Sequence, residues 1–264
     1  MKIVRFLDDA GREGWGQWPG GETAKRIQGD LFGKFEATNQ EAKIAKLLAP
    51  VSPPNIICIG LNYTAHAAES GAALPKAPVI FLKTTTALAN PGDPIVLPAD
   101  APDEVDYESE LVIIIGKQAR KVSEADALDY VLGYTVANDV SARDCQLKRD
   151  VQWARGKSFD TFFPIGPCLV TRDDLDGDNA PVRSFLNGEK MQDSNTNDMI
   201  FSCRHLISYL SHQFTLLPGT AISTGTPEGV GMAQKPPRFL RAGDTITVEV
   251  EGIGQFSSEV VPEA

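Results

Sequence analysis

Short apolar runs cut by proline and glycine recur along most of the chain: NIICIG, APVIFLK, DPIVLP, ELVIIIG, GYTVAND, GPCLVT, TAISTG, DTITVEVEG and GQFSSEVV. Their length and their content of β-branched residues predict strands. Before them, MKIVRF predicts a strand, GREGWGQWPGG glycine-rich turns around two tryptophans, and EAKIAKLLAP a short helix closed by Pro50. The breaker cluster VSPPN at 51–55 predicts a boundary between a small N-terminal module, residues 1–50, and a larger domain, residues 51–264. Two helices are expected among the later strands. Ser123 and Asp126 form a weak capping box for the first, with Leu128, Val131 and Leu132 as its stripe and Gly133 as its end. The second is expected over 198–214, where Ile200, Cys203, Ile207, Leu210 and Phe214 fall at spacings of three and four. Many strands with few helices point to a β-rich α+β fold built round a folded sheet or barrel.

Composition narrows the function. The chain has 264 residues, 42% hydrophobic and 23% charged, ordinary for a soluble globular protein. A net charge of -10 without a basic cluster argues against nucleic acid as a partner. It also means that an anionic substrate would need a metal or a local cation to receive it. Cys58, Cys145, Cys168 and Cys203 are scattered without zinc-type spacing and read as free thiols in a reducing compartment. MKIVRFLDDAGREGW meets acids too early for a signal peptide, and no apolar run approaches the ~20 residues of a membrane span. A cytoplasmic protein with no membrane partner is expected.

The segment DYESELVIIIG, 106–116, raises the main chemical question. On a strand, Asp106, Glu108 and Glu110 would project from one face, and that face continues through Val112 and Ile114 as apparent core. Carboxylates some 6 Å apart repel by roughly 3 kcal/mol at an effective dielectric near 20, and burial adds a desolvation penalty. A shared divalent cation with oxygen ligands offsets both, and with no Cys or His nearby it would be a hard ion: magnesium, manganese or calcium. The alternative is a wet strand end that coordinates nothing. Asp139, ending the run GYTVAND, could supply a third ligand or could be only a helix N-cap.

Other stretches carry weaker signals. In GLNYTAHAAES, His66 and Glu69 share a helical face; the pair could activate a water, or be an exposed contact of little energy. Lys157, among aromatics in RGKSFDTFF, could meet an oxyanion or could lie along the surface. STGTPEGVG offers backbone N–H groups and Thr226 to an anion, or is a plain tight turn. His205 and His212 are expected to be solvated.

Taken in order, GLNYTAHAAE, FLK, DYESELVIIIG, GYTVANDVSARDCQ, GKSFDTFFPIGP and STGTPEGVG resemble the fumarylacetoacetate hydrolase family over roughly residues 52–262. NDVSARDCQ and GMAQKPPRFLRAGD look most like its bacterial acylpyruvase and 2-hydroxyhepta-2,4-diene-1,7-dioate isomerase-like branch. The resemblance implies a rolled mixed sheet, a homodimer, and magnesium or manganese held by Glu108, Glu110 and Asp139. It implies that His66 and Glu69 on a lid activate water, and that Lys157 contacts a substrate carboxylate or enolate. Lys83, Arg143, Gln146 and Thr226 would be further substrate contacts, with Asp106 left over. The family often has proline after the FLK lysine, where this chain has Thr84. The expected reaction is hydrolytic C–C cleavage of an acylpyruvate-type 2-oxo acid. Decarboxylation or isomerisation of related acids, ureidoglycolate or sugar-acid chemistry, and an inactive metal-binding scaffold are the alternatives.

Overall fold

The computed structural model describes residues 1–264. In chain order the strands and helices are β1 (Lys2–Asp8), β2 (Glu13–Gln17), β3 (Thr23–Gly29), β4 (Phe35–Leu48), β5 (Ile56–Gly60), α1 (Thr64–Glu69), β6 (Val79–Lys83), β7 (Leu88–Ala89), β8 (Ile95–Leu97), β9 (Val105–Asp106) and β10 (Ser109–Ile115). They continue with β11 (Val131–Asn138), β12 (Ser141–Ala142), α2 (Ala154–Lys157), β13 (Phe163–Thr171), β14 (Pro181–Leu186), β15 (Glu189–Asn195), α3 (Cys203–Gln213), β16 (Ala221–Ser223), β17 (Thr245–Val250) and β18 (Gly254–Pro262). The large sheet runs β2-β3-β4-β1-β13-β11-β10-β16-β5-β6, with β7 beside β13. A second sheet runs β15-β14-β17-β18-β8, and β9 pairs with β12. Both larger sheets are mixed, because β16–β5 and β18–β8 are parallel among antiparallel neighbours. This is the β-rich fold expected from the sequence.

β10 explains its own composition. It lies between β11 and β16, and every residue from Ser109 to Ile115 is buried. One face carries Val112 and Ile114 into one core cluster; the other carries Leu111, Ile113 and Ile115 into a second. A strand covered on both sides reads as a continuous apolar run.

Five local expectations differ from the structure. EAKIAKLLAP is the end of β4, not a helix. It pairs with β3 (Thr23 opposite Lys43) and with β1 (Arg5 opposite Leu48), and this pairing overrides the helical propensity of Ala, Lys and Leu. The tryptophan segment contains β2, where Trp15 donates its ring N–H to Pro50 O at 3.0 Å. The first expected helix is a single 3-10 turn, Ala127–Tyr130. Ser123 does bond Asp126, but Val131, Leu132 and Gly133 belong to β11. A Cβ on Gly133 would stand 2.2 Å from Val170 O, so glycine serves close strand packing there rather than a helix end. The second helix begins later than expected, after Ser202, whose hydroxyl caps it. Its buried stripe adds Leu206, while Phe214 is partly exposed. His205 is not simply solvated, since it bonds Glu124 at 2.9 Å beside Phe201. No helix is long and apolar enough to cross a membrane.

Candidate active site

Backbone pairing brings the acids together. Where β10 begins and β11 ends, Asn138 Oδ1 accepts from Glu108 N, and Asp139 N donates to Glu108 O, both at 2.9 Å. Glu108 and Asp139 thus sit at one corner of the sheet, with Glu110 one pleat further along β10. Glu108, Glu110 and Asp139 are buried, and one oxygen from each lies within 4.8 Å of the others. Two oxygens bound to one hard cation at about 2.0–2.5 Å stand no more than about 5 Å apart, so the triad fits a single ion with an all-oxygen donor set.

Charge balance supports the same fit. Lys157 Nζ donates to Glu108 Oε2 at 2.6 Å and Asp139 Oδ2 at 3.0 Å. Lys83 Nζ donates to Asp139 Oδ1 at 2.5 Å and Val140 O at 3.1 Å. Arg143 stands 2.9 Å from Asp106 and 2.7 Å from Glu108. Four carboxylates therefore face three cationic side chains, and one negative charge lacks a partner. Glu110 bears that deficit. Burial, then Asp139, then Glu108 push its carboxyl well above the usual range, although Ser223 Oγ and Gly225 N donate to its Oε2 at 2.5 and 3.0 Å. Glu108 goes the other way: burial opposes its charge, but Lys157 and Arg143 outweigh burial and hold it down to about 2. A doubly positive ion would remove the reason for keeping Glu110 protonated.

A cavity of about 310 Å³ opens onto this centre. His66, Glu108, Glu110, Arg143, Gln146, Lys157 and Thr226 line it, with Leu61, Phe81, Leu147, Trp153 and Met232 as apolar walls. On α1, His66 Nδ1 and Glu69 Oε1 are 2.6 Å apart, and Gly229 N donates to Glu69 at 3.0 and 3.1 Å. Lys157 is brought in by α2. Gly156 has backbone of residues 142 and 146 within 2.6 Å of where a Cβ would stand, so any larger residue would push α2 away. Its ammonium lies 5.0 Å from the centroid of Phe81.

Not every expected contact reaches the cavity. Lys83 and Asp139 are both absent from its lining, and the Lys83 ammonium pairs with Asp139. The Thr226 hydroxyl donates to Ser109 O at 3.1 Å and accepts from Gln192 Nε2 at 2.8 Å. The backbone N–H groups of Gly225 and Gly229 go to Glu110 and Glu69, so the anions received by this turn are the protein's own carboxylates. Thr84 donates from its backbone N to Ser158 Oγ at 3.1 Å, a bond proline could not make, and so ties the Lys83 strand to the segment after Lys157. Ser223 and Asn138, which hold the acids, and the walls Phe81, Trp153 and Met232 are not among the site residues expected from the sequence. Only Ser223, the first residue of the Gly-rich STGTPEGVG segment, carries a signal there.

A β-rich fold that gathers buried carboxylates and a lysine under one cavity is an enzyme's arrangement, and the comparisons give its class. Residues 55–261 match the family model "Fumarylacetoacetate (FAA) hydrolase C-terminal", and residues 1–50 match "Rv2993c-like, N-terminal". The chain belongs to the fumarylacetoacetate hydrolase family of enzymes. Among its relatives, a fumarylacetoacetate hydrolase domain-containing protein 2 homolog of Dictyostelium discoideum is 50% identical over 226 residues, 81% of this chain and 74% of that protein. A mitochondrial oxaloacetate tautomerase of Xenopus laevis is 49% identical over 218 residues, 81% of this chain and 68% of that protein. Among solved structures, a 2-hydroxyhepta-2,4-diene-1,7-dioate isomerase from Mycobacterium marinum is 39% identical with a TM-score of 0.88, covering 100% of this chain and 99% of that one. A 5-carboxymethyl-2-hydroxymuconate delta-isomerase from Mycobacterium smegmatis is 41% identical with the same TM-score of 0.88, covering both chains in full.

Proposed function

We propose that this enzyme interconverts the enol and keto forms of a 2-oxo acid of the oxaloacetate type, with magnesium or manganese at Glu108, Glu110 and Asp139. The convergence of His66 and Lys157 on one cavity carries the reading, and the tautomerase and isomerase relatives favour it over the hydrolysis expected from the sequence. When bound, the ion supplies Lewis-acid polarisation of the substrate's 2-oxo oxygen and turns the local charge positive for an anionic substrate.

The chain's own residues supply the proton handling. Glu69 takes Nδ1 of His66, which fixes the ring and leaves Nε2 for the cavity. Nε2 removes the proton from C3 of the keto form and delivers it to the 2-oxo oxygen to give the enol; in the reverse direction it takes the enol O–H proton and returns it to C3. An ammonium has three donors, and two of those on Lys157 go to Glu108 and Asp139. The third donates to the oxygen that becomes negative as C3 loses its proton. The apolar walls keep bulk water away from the enolate.

The His66→Ala variant is expected to lose about 10²–10⁴-fold in kcat for enol-to-keto conversion of oxaloacetate, while binding manganese as tightly as the parent protein. Ultraviolet decay of the enol checks the rate, and calorimetry the ion. Unchanged ketonisation would exclude this assignment. The hydrolytic reading uses the same pair to deprotonate a water. NMR of the products from a panel of acylpyruvates distinguishes it, since only cleavage releases pyruvate.

A homodimer belongs to the same proposal. β6 is the outer strand of the large sheet and Leu82 on it is half-exposed, an apolar edge that a second copy would cover. Sedimentation velocity at micromolar concentration should return a dimer; a monomer would refute this part.

A further inference from the structure

Asp106 is the acid of the row that the triad leaves out, and it lies outside the cavity lining. It is fully buried and completely engaged. Its Oδ1 accepts from Gly231 N at 2.7 Å and Tyr107 N at 2.9 Å; its Oδ2 accepts from Met232 N at 3.0 Å and Arg143 Nε at 2.9 Å. The same guanidinium reaches Glu108 at 2.7 Å. On its other side the 229–232 segment holds Glu69, through Gly229 N. Gly229 is further fixed by Tyr107, whose hydroxyl donates to Gly229 O at 3.2 Å.

That segment has no slack. Gly229 adopts φ +96°, and a Cβ there would stand 2.1 Å from Met191 O. At Gly231 a Cβ would stand 2.3 Å from Arg238 O and 2.5 Å from Asp106 Oδ1. A short, tightly packed piece of chain thus joins two groups that must act on one substrate: the acidic centre, by way of Asp106 and Arg143, and the His66–Glu69 pair.

We propose that Asp106 is a positioning residue that sets the separation between the acidic centre and the His66–Glu69 pair, with residues 229–232 as the strut. This rests on the reading that the triad holds a divalent ion and that His66 carries the proton. The physical reason is that Asp106 accepts only, from donors on both sides, through charge-assisted bonds that are shorter and stronger than neutral ones. An asparagine would turn one acceptor into a donor facing donors, and at least one side would let go. Misplacement by about 1 Å far from the chemistry can reduce rate by about 10²-fold.

The test is Asp106→Asn in the full chain, read by manganese calorimetry, by hydrogen exchange at the α1 amides of Ala67 and Ser70, and by the separate kinetic constants. The expected result is manganese affinity lower by about 10–100-fold, exchange at both amides faster by about tenfold or more, and a fall in kcat with KM little changed. A merely structural role would lower the melting temperature without moving the ion and α1 together. If manganese affinity and exchange both stay within about threefold, or only one of them moves, the proposal is overturned.

Glu69→Gln supplies a reading that does not depend on the folding of the Asp106 variant, since Glu69 is partly exposed and is not one of the three converging carboxylates. Coupling between two sites is reciprocal. Weakening the Gly229 contact should therefore lower manganese affinity at least threefold, and no change overturns the strut. The readouts that decide the proposal are the binding and exchange measurements. A wild-type protein that fails to turn over oxaloacetate would defeat the proposed reaction and leave them unaffected.

Discussion

Replacing Lys157 with methionine is expected to destabilise the metal-free protein by about 3–5 kcal/mol, the range for breaking a buried ion pair by removing one partner. Lys157 is almost fully buried, and both of its carboxylate partners are buried too. The substitution keeps the length of the stem that packs near Phe81, so the loss is chiefly electrostatic. Urea unfolding with and without magnesium separates the terms. A divalent ion at the triad would itself compensate Glu108 and Asp139, so the difference between variant and parent should shrink at saturating magnesium. By linkage, the variant should then bind the ion more tightly than the parent does. Turnover should nevertheless fall by about 10²–10³-fold, the usual consequence of losing one donor to a developing oxyanion. An equal loss of stability with and without magnesium would mean that Lys157 and the ion do not share the same carboxylates, and the proposed centre would be wrong.

The central strands and the acidic centre were legible because they rest on short-range rules. Glu108 and Glu110 of DYESELVIIIG open onto one cavity, as strand alternation predicts, and the uninterrupted apolar run marks a strand covered on both sides. His66 and Glu69 share a face by helical spacing and do touch. The failures are places where distant pairing decided. Residues 41–48 have helical composition but lie between β1 and β3, and Val131–Gly133 extend β11 instead of ending a helix. Lys83 is placed differently from the expectation for a related reason, while Asp106 stands outside the triad as expected. Sequence shows that a charge is present near the centre, but not which way it faces; neither residue lines the cavity, and each pairs with a neighbouring charged group, Lys83 with Asp139 and Asp106 with Arg143. The apolar walls left no mark in the sequence at all. Phe81 and Trp153 look like ordinary core residues until the fold sets them edge to face at 5.8 Å beside Lys157.

Ion binding should release a proton through Glu110. In the metal-free protein burial and its neighbours Asp139 and Glu108 raise the carboxyl well above its ordinary 4.5, whereas the bound ion requires the carboxylate. Between about 4.5 and the raised value, each ion that binds displaces one proton, and affinity should increase about tenfold per pH unit. Above that value the dependence should vanish. Glu108, held down to about 2, is ionised throughout and contributes no proton in this window. Stability without metal follows the same signs. The raised Glu110 contributes stability that is present below 4.5 and is lost as pH rises through its folded value. The depressed Glu108 contributes stability that is present above 4.5 and is lost as pH falls through about 2. From this pair alone, the metal-free protein should therefore be most stable on the mildly acidic side, and saturating magnesium should move the optimum toward neutrality. Calorimetry in buffers of different ionisation enthalpy counts the protons directly. The parent should release about one per ion within the window, Glu110→Gln none, and His66→Ala the same as the parent. Release that survives in Glu110→Gln, or an affinity independent of pH across the window, would place the ion somewhere other than on these three carboxylates.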